Sequence, residues 1–185
     1  MRLIFLITAI FCLTISHAQI TANADYTVSH NIAVNYYNNA KTQAKAGNYA
    51  EAIELYTKAL ENYPIQDKES KAEAFYNRGI NRRKVDNYQG AIEDYTKAIE
   101  LKPGYYKAFN NRGCVYLLIK DYTKAIMDFT LVIKYDNYNT EFTAMAIGNR
   151  GIAKINIGQD GCPDLKKAIE LGNMNVSQFC SENCK

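Results

Sequence analysis

One pattern limits the fold of this chain more than any other. NYAEAIELYTKALENYP at 48–64 returns as NYQGAIEDYTKAIELKP at 87–103 and as DYTKAIMDFTLVIKYDN at 121–137. Anchored on the small residue inside each copy, Ala52, Ala91 and Ala125 stand 39 and then 34 residues apart. A second series runs ahead of the first: YYNNA at 36–40, FYNRG at 75–79 and FNNRG at 109–113, with NRG again at 149–151. Each unit therefore reads as two helices, A then B, joined by a short turn. In the second copy, Ala91, Ile92, Tyr95, Ala98 and Ile99 fall on one helical stripe. Pro103 stops that helix, because proline disfavours helix in the residue before it. Gly47 supplies a turn residue free to take positive φ. One such pair cannot bury its apolar stripe alone, whereas stacked pairs share a core through neighbour contacts.

These residues resemble the tetratricopeptide repeat (TPR), which carries small residues at repeat positions 8, 20 and 27, aromatics at 4, 17 and 24, and proline at 32. Unit 2 matches with Phe75, Gly79, Tyr88, Ala91, Tyr95, Ala98 and Pro103; unit 1 matches with Tyr36, Ala40, Tyr49, Ala52, Tyr56, Ala59 and Pro64. Unit 3 matches through Phe129, then departs at Val132 and Asn137, which implies a loosened helix end. Unit 4 is degenerate: GQDGCPDLKKAIELG at 158–172 is two residues short of the pattern with Ala168 at position 27, and the unit resembles the terminal repeats of exported bacterial TPR proteins. The resemblance implies an all-α, right-handed solenoid with repeats at about 33–66, 72–105, 106–139 and 144–172, and a capping helix over 173–185. Met174, Val176 and Phe179 are available to cover the open face. The terminal pattern also implies a disulfide between Cys162 and Cys180, with Cys184 a competing partner on the same helix face.

Position 7, usually leucine in this repeat, is Arg78, Arg112 and Arg150 in units 2 to 4, and position 23 is Asp94, Asp128 and Asp164. Unit 1 has Asn39 and Leu55 instead. The two charges come and go together, so we expect a partly buried Arg–Asp bridge between helices A and B of each of those units.

The first 18 residues read as a signal peptide. Arg2 gives a positive start, Leu3 to Ile15 is mostly apolar and too short for a span, and Ser16-His17-Ala18 offers small residues for cleavage before Gln19. A lipidated Cys12 is the alternative, but Ile10-Phe11 are bulky for such a signal. The expected location is periplasmic or secreted, with no membrane span in the mature chain. In residues 19–32 Thr, Asn, Asp and Ser interrupt any stripe, so this stretch is expected to be a flexible lead-in.

Twenty-two basic and 19 acidic residues give a net charge of +3, which together with export argues against a nucleic-acid partner. After the leader, His30 is the single histidine, so neither a hydrolase triad nor a zinc site with Cys162, Cys180 and Cys184 finds its usual ligands or base. No cofactor and no enzymatic activity are expected. TPR arrays present a groove along their A helices, and the resemblance places Tyr37, Lys41, Lys45, Tyr76, Arg83, Lys84 and Lys107 in it. The carboxylate clamp of chaperone-binding members is not carried over, because position 9 is Lys41, Ile80, Cys114 and Ile152. The expected role is an exported scaffold holding a protein or peptide partner, one with acidic groups, in this groove. The competing roles are an envelope-assembly component using the convex face or an edge, and, third, a small hydrolase.

Overall fold

The computed structural model describes residues 2–136 and 141–184, with side chains from residue 19 onward except Ile20. The side chains of the 1–18 leader, the end of repeat 3 at 137–139 and Lys185 lie outside the described residues. The described residues form helices α1 (Arg2–Lys45), α2 (Tyr49–Asn62), α3 (Lys68–Lys84), α4 (Tyr88–Leu101), α5 (Tyr106–Leu118), α6 (Tyr122–Asp136), α7 (Glu141–Asn156), α8 (Cys162–Glu170) and α9 (Ser177–Asn183), with a 3-10 turn (Met174–Val176) before the last. Odd-numbered helices up to α7 are the A helices. Each packs on the B helix that follows it, and each B helix packs on the next A helix.

Small residues set the close approach within each pair. Ala40, Ala52, Ala59, Ala91, Ala98 and Ala125 are fully buried. A Cβ added to Gly79 would come within 2.8 Å of the Tyr95 ring, and one added to Gly113 within 2.9 Å of the Phe129 ring. The aromatics thus lie on bare backbone, where a methyl group would force ring or helix to move. Val132, the departure in unit 3, is fully buried, so a larger side chain fills the seam there.

The turns between A and B helices share one backbone device. Gly47, Asp86, Lys120 and Gly158 occupy the same place and all have positive φ, at 85°, 57°, 61° and 75°. Two L-residues hold a conformation that favours glycine. The residue that follows caps the next helix in units 2 and 3: Asn87 accepts from the Gly90 amide, and Asp121 from the Lys124 amide.

Two expectations need correction. Residues 19–32 are helical, continuous with the rest of α1. His30 anchors the later part of this stretch: its Nδ1 lies 2.7 Å from Asp67, the N-cap of α3, while its ring stacks on Tyr26 and meets the edge of Tyr63. Thr27 turns its hydroxyl back onto the Asn23 carbonyl, so it does not divert the backbone from helix. Tertiary contacts override a weak local preference here.

The second correction concerns the cap. Cys162 is bonded to Cys184, not Cys180, with Cα atoms 5.5 Å apart. Cys180 is buried in the same apolar cluster as Leu165, Ala168 and Val176. One helical turn separates residues four apart by about 6 Å along the axis. That turn puts Cys180 under the core and Cys184 at the level of Cys162, where α8 begins. Val176 and Phe179 pack against the core, whereas Met174 is 64% exposed and covers nothing.

Candidate functional site

Three consecutive residues, Asn-Arg-Gly, organise each of the three junctions from unit 1 to unit 4, because a helix turns about 100° per residue and so aims them in three directions. In units 2 and 3 the glycine admits an aromatic ring, as above; in unit 4 Gly151 instead lets the Gly161 backbone and Leu165 approach. The arginine crosses to helix B. Arg78 donates from Nε and Nη2 to Asp94 at 3.0 and 2.7 Å; Arg112 to Asp128 at 2.8 and 2.8 Å; Arg150 to Asp164 at 2.9 and 2.8 Å. The structure thus brings all three expected pairs into two-pronged contact, and Asp94 and Asp128 are almost wholly buried. Arg82 adds a second cation to Asp94 at 3.2 Å, and Lys154 adds one to Asp164 at 2.8 Å. Burial opposes the charge on Asp164, but Arg150 and Lys154 together hold its carboxyl below the usual range.

Sequence reasoning missed the third contact of each arginine. The remaining nitrogen, Nη1, donates to a threonine on the preceding unit: Arg78 to Thr57 at 2.9 Å, Arg112 to Thr96 at 2.8 Å and Arg150 to Thr130 at 3.4 Å. Each threonine hydroxyl donates to the carbonyl four residues back, at Ile53, Ile92 and Ile126, which leaves its lone pairs to accept. The arginine therefore joins its own B helix to the B helix before it. Unit 1, with no helix pair before it in the structure, has Asn39 at that position.

The asparagine faces the opposite way, into the valleys between A helices. Asn77 donates to the Tyr37 hydroxyl at 3.0 Å, Asn111 to the Tyr76 hydroxyl at 3.0 Å, and Asn149 lies 3.8 Å from the Cys114 sulfur. This ladder was legible in principle, since asparagine precedes the arginine in every NRG.

The valley between α1 and α3 holds a cavity of about 300 Å³ whose lining includes Lys41, Lys45, Lys84, Tyr56, Asn77 and Ile80. Three of the seven expected groove residues thus share one rim, over an aromatic and aliphatic floor. Lys41 lies 5.6 Å over the Tyr37 ring, and that ring meets Tyr56 edge-on. No carboxylate pairs with Lys41, Lys45 or Lys84 among the described residues. Tyr37 itself belongs to a smaller adjoining cavity with Tyr63, Glu69, Ser70 and Glu73. The groove is therefore not basic throughout. Glu73 accepts from the Tyr105 hydroxyl at 3.2 Å, while Glu69 is ion-paired with Lys102. Burial, with Tyr37 and Asp67 nearby, pushes the Tyr63 phenol up to about 12, so it stays a neutral donor. Tyr76 packs against Tyr105, and Arg83 lies one valley on, beside Tyr95 and Cys114. Lys107 is half-buried and lines none of the described cavities. Among the described residues no helix is long and apolar enough to cross a membrane, and no three metal-ligating side chains converge.

Comparison with known proteins agrees with this architecture. Two models described as tetratricopeptide repeat match residues 31–104 and 94–127. No curated protein matches the sequence. Among solved structures, MamA is 25% identical, with TM-score 0.65 over 78% of this chain and 81% of that one. The second TPR domain of human RPAP3, solved in complex with the HSP70 peptide SGPTIEEVD, is 26% identical, with TM-score 0.60 over 68% of this chain and 98% of that one. YrrB, described as a TPR protein with an unusual peptide-binding site, shares the fold at 20% identity and TM-score 0.68, over 81% and 74% of the two chains. The repeated helix pairs, the small residues that seat their aromatics, and these matches together make the chain a member of the tetratricopeptide repeat family, a protein-interaction scaffold built as an all-α solenoid.

Proposed function

We propose that this chain is an exported scaffold that holds an acidic peptide segment in the valley between α1 and α3, and that it has no catalytic role. The observation that carries the reading is the set of three lysines, Lys41, Lys45 and Lys84, ringing a partly apolar cavity with no carboxylate to neutralise them among the described residues. Unpaired cations beside an apolar floor suit a ligand that brings both carboxylates and aliphatic side chains. Export rests on the leader and on the Cys162–Cys184 bond, a linkage that persists in oxidising compartments. Fluorescence anisotropy with labelled acidic and basic peptides tests the binding claim. Acidic peptides should bind more tightly, lose affinity in high salt, and be released by Lys41→Glu with Lys84→Glu. Equal affinity for both peptide charges would end this reading.

A second reading, assembly through the turn edge, is favoured by one observation. Val85, Ile119 and Ile157 occupy the same place in successive A–B turns and are 44%, 44% and 39% exposed. Sedimentation velocity of a triple Val85→Ser, Ile119→Ser, Ile157→Ser variant decides it: an unchanged monomer in both forms removes the edge from consideration.

A further inference from the structure

The valley between α1 and α3 has two ends of opposite character. Along α1 its lining runs Tyr37, Lys41, Lys45, and along α3 it runs Glu73, Asn77, Ile80, Lys84, each at the three- and four-residue steps of one helix face. The lysines belong to the larger cavity. Tyr37 and Glu73 belong to the smaller one, about 170 Å³, which they share with Tyr63, Glu69 and Ser70. The Asn77 amide, donating to the Tyr37 hydroxyl at 3.0 Å, links the walls of the two. Glu73 and Lys84 are 11 residues apart on one helix, so the ends of this trough are separated by about 16 Å.

The smaller cavity is short of a cation. Glu73 is half-buried, and no lysine, arginine or histidine pairs with it among the described residues. One of its oxygens accepts from the Tyr105 hydroxyl at 3.2 Å, and the other receives no donor. Tyr63 is buried and lines the cavity, yet its hydroxyl makes no hydrogen bond among the described residues. That hydroxyl is not sealed inside the protein, so it opens into the cavity. Burial, and after it the Glu73 charge, raises the phenols of Tyr37 and Tyr105, so both stay neutral. The carboxylate is thus surrounded by dipoles and rings, not by a counter-charge. The resident cations nearby are committed elsewhere. Lys102 is ion-paired with Glu69 and lies 4.9 Å over the Tyr105 ring, Lys41 lines the larger cavity, and His30 faces Asp67. Such a cup suits a primary ammonium, which needs acceptors for three N–H donors and gains from aromatic faces.

We propose that Glu73, with the Tyr63 hydroxyl and the tyrosine rings around it, seats a lysine side chain of the bound segment, so that the valley selects a bipolar segment, acidic toward one end and basic toward the other. A compact ammonium on a flexible stem fits so small a cup better than a planar guanidinium does. This inference rests on the acidic-segment reading above and adds the opposite pole to it.

The test is a lysine scan by anisotropy. Labelled peptides carry an acidic cluster at either end and a single lysine at successive positions, each compared with the peptide that has norleucine there. A lysine lowers the net negative charge, so at most positions it should weaken binding to the lysine-rimmed end. Where it reaches the cup it should instead tighten binding about tenfold over norleucine, the gain of one charge-assisted contact. Glu73→Gln should abolish that gain without weakening the norleucine peptides. Tyr63→Phe keeps the ring and should lose part of the gain. Lysine that tightens binding at no position, with the norleucine peptides still bound, overturns the cup and leaves the acidic-segment reading standing. So does a gain that survives Glu73→Gln. Failure of every acidic peptide to bind overturns both. The scan compares peptides on the unmodified chain, so misfolding of a variant does not obscure it.

Discussion

Two groups among the cations on the A helices of this chain differ mainly in the direction they face. Arg78, Arg112 and Arg150 turn toward the B helices and meet an aspartate and a threonine each. Lys41, Lys45, Arg83 and Lys84 turn toward the valleys and meet no carboxylate among the described residues. A charge that the fold has taken out of water is used up by its partners. A charge left in a valley, without a partner, is available to something else. The difference teaches that basic residues in such an array should be sorted by which helix they face before any is assigned to binding.

The sharpest way to break this comparison is to remove an inward cation. Arg112→Ala leaves Asp128 buried and alone, and should cost about 3–5 kcal/mol in chemical denaturation, with little recovery in high salt. A loss below 1 kcal/mol would place Arg112 with the valley group. Thr96→Val comes next. It keeps the shape but deprives Arg112 of its link to the preceding unit, and we expect a loss of about 1–2 kcal/mol. If the threonine were only a bystander, thermal melts of the two proteins would superimpose.

A smaller effect is expected from acid. The Asp164 carboxyl is lower in the folded chain than in the unfolded one. Its stabilisation is therefore complete above about pH 4, the ordinary aspartate value, and is lost as pH falls through the folded value. Asp164→Asn should flatten that part of the stability curve. The least effect belongs to the valley: Lys45→Ala and Lys84→Ala should stay within about 0.5 kcal/mol of the parent. A large loss there would show that the valley lysines are structural after all.

The pattern of repeats, the small-residue seams and the Arg–Asp partnership are all legible in the chain, the last because unit 1 lacks both charges at once. The threonines were not legible for the opposite reason. Thr57, Thr96 and Thr130 are the same in three units, so nothing contrasts with them. The helical lead-in was hidden because its anchor is tertiary: His30 gains its partner from Asp67, 37 residues away. The Cys184 pairing was hidden because four residues preserve the helix face while shifting the level, and only packed helices reveal the level. In the valley, Lys41, Lys45 and Lys84 are recognisable from repeat position alone. Glu73 occupies an equivalent groove position, but its negative charge sets it apart from the basic pattern of its neighbours.

The threonine link also gives the array a direction. Each junction is fastened by an arginine belonging to the later unit and received by a hydroxyl on the earlier one. Trimming the chain from its C-terminal side removes the arginine together with its aspartate, and leaves behind a threonine already satisfied by its own helix. Trimming from the other side strands a guanidinium nitrogen at the new front. Shortened arrays of equal length should therefore be unequal: those that keep the front and lose the back retain the better-sealed end.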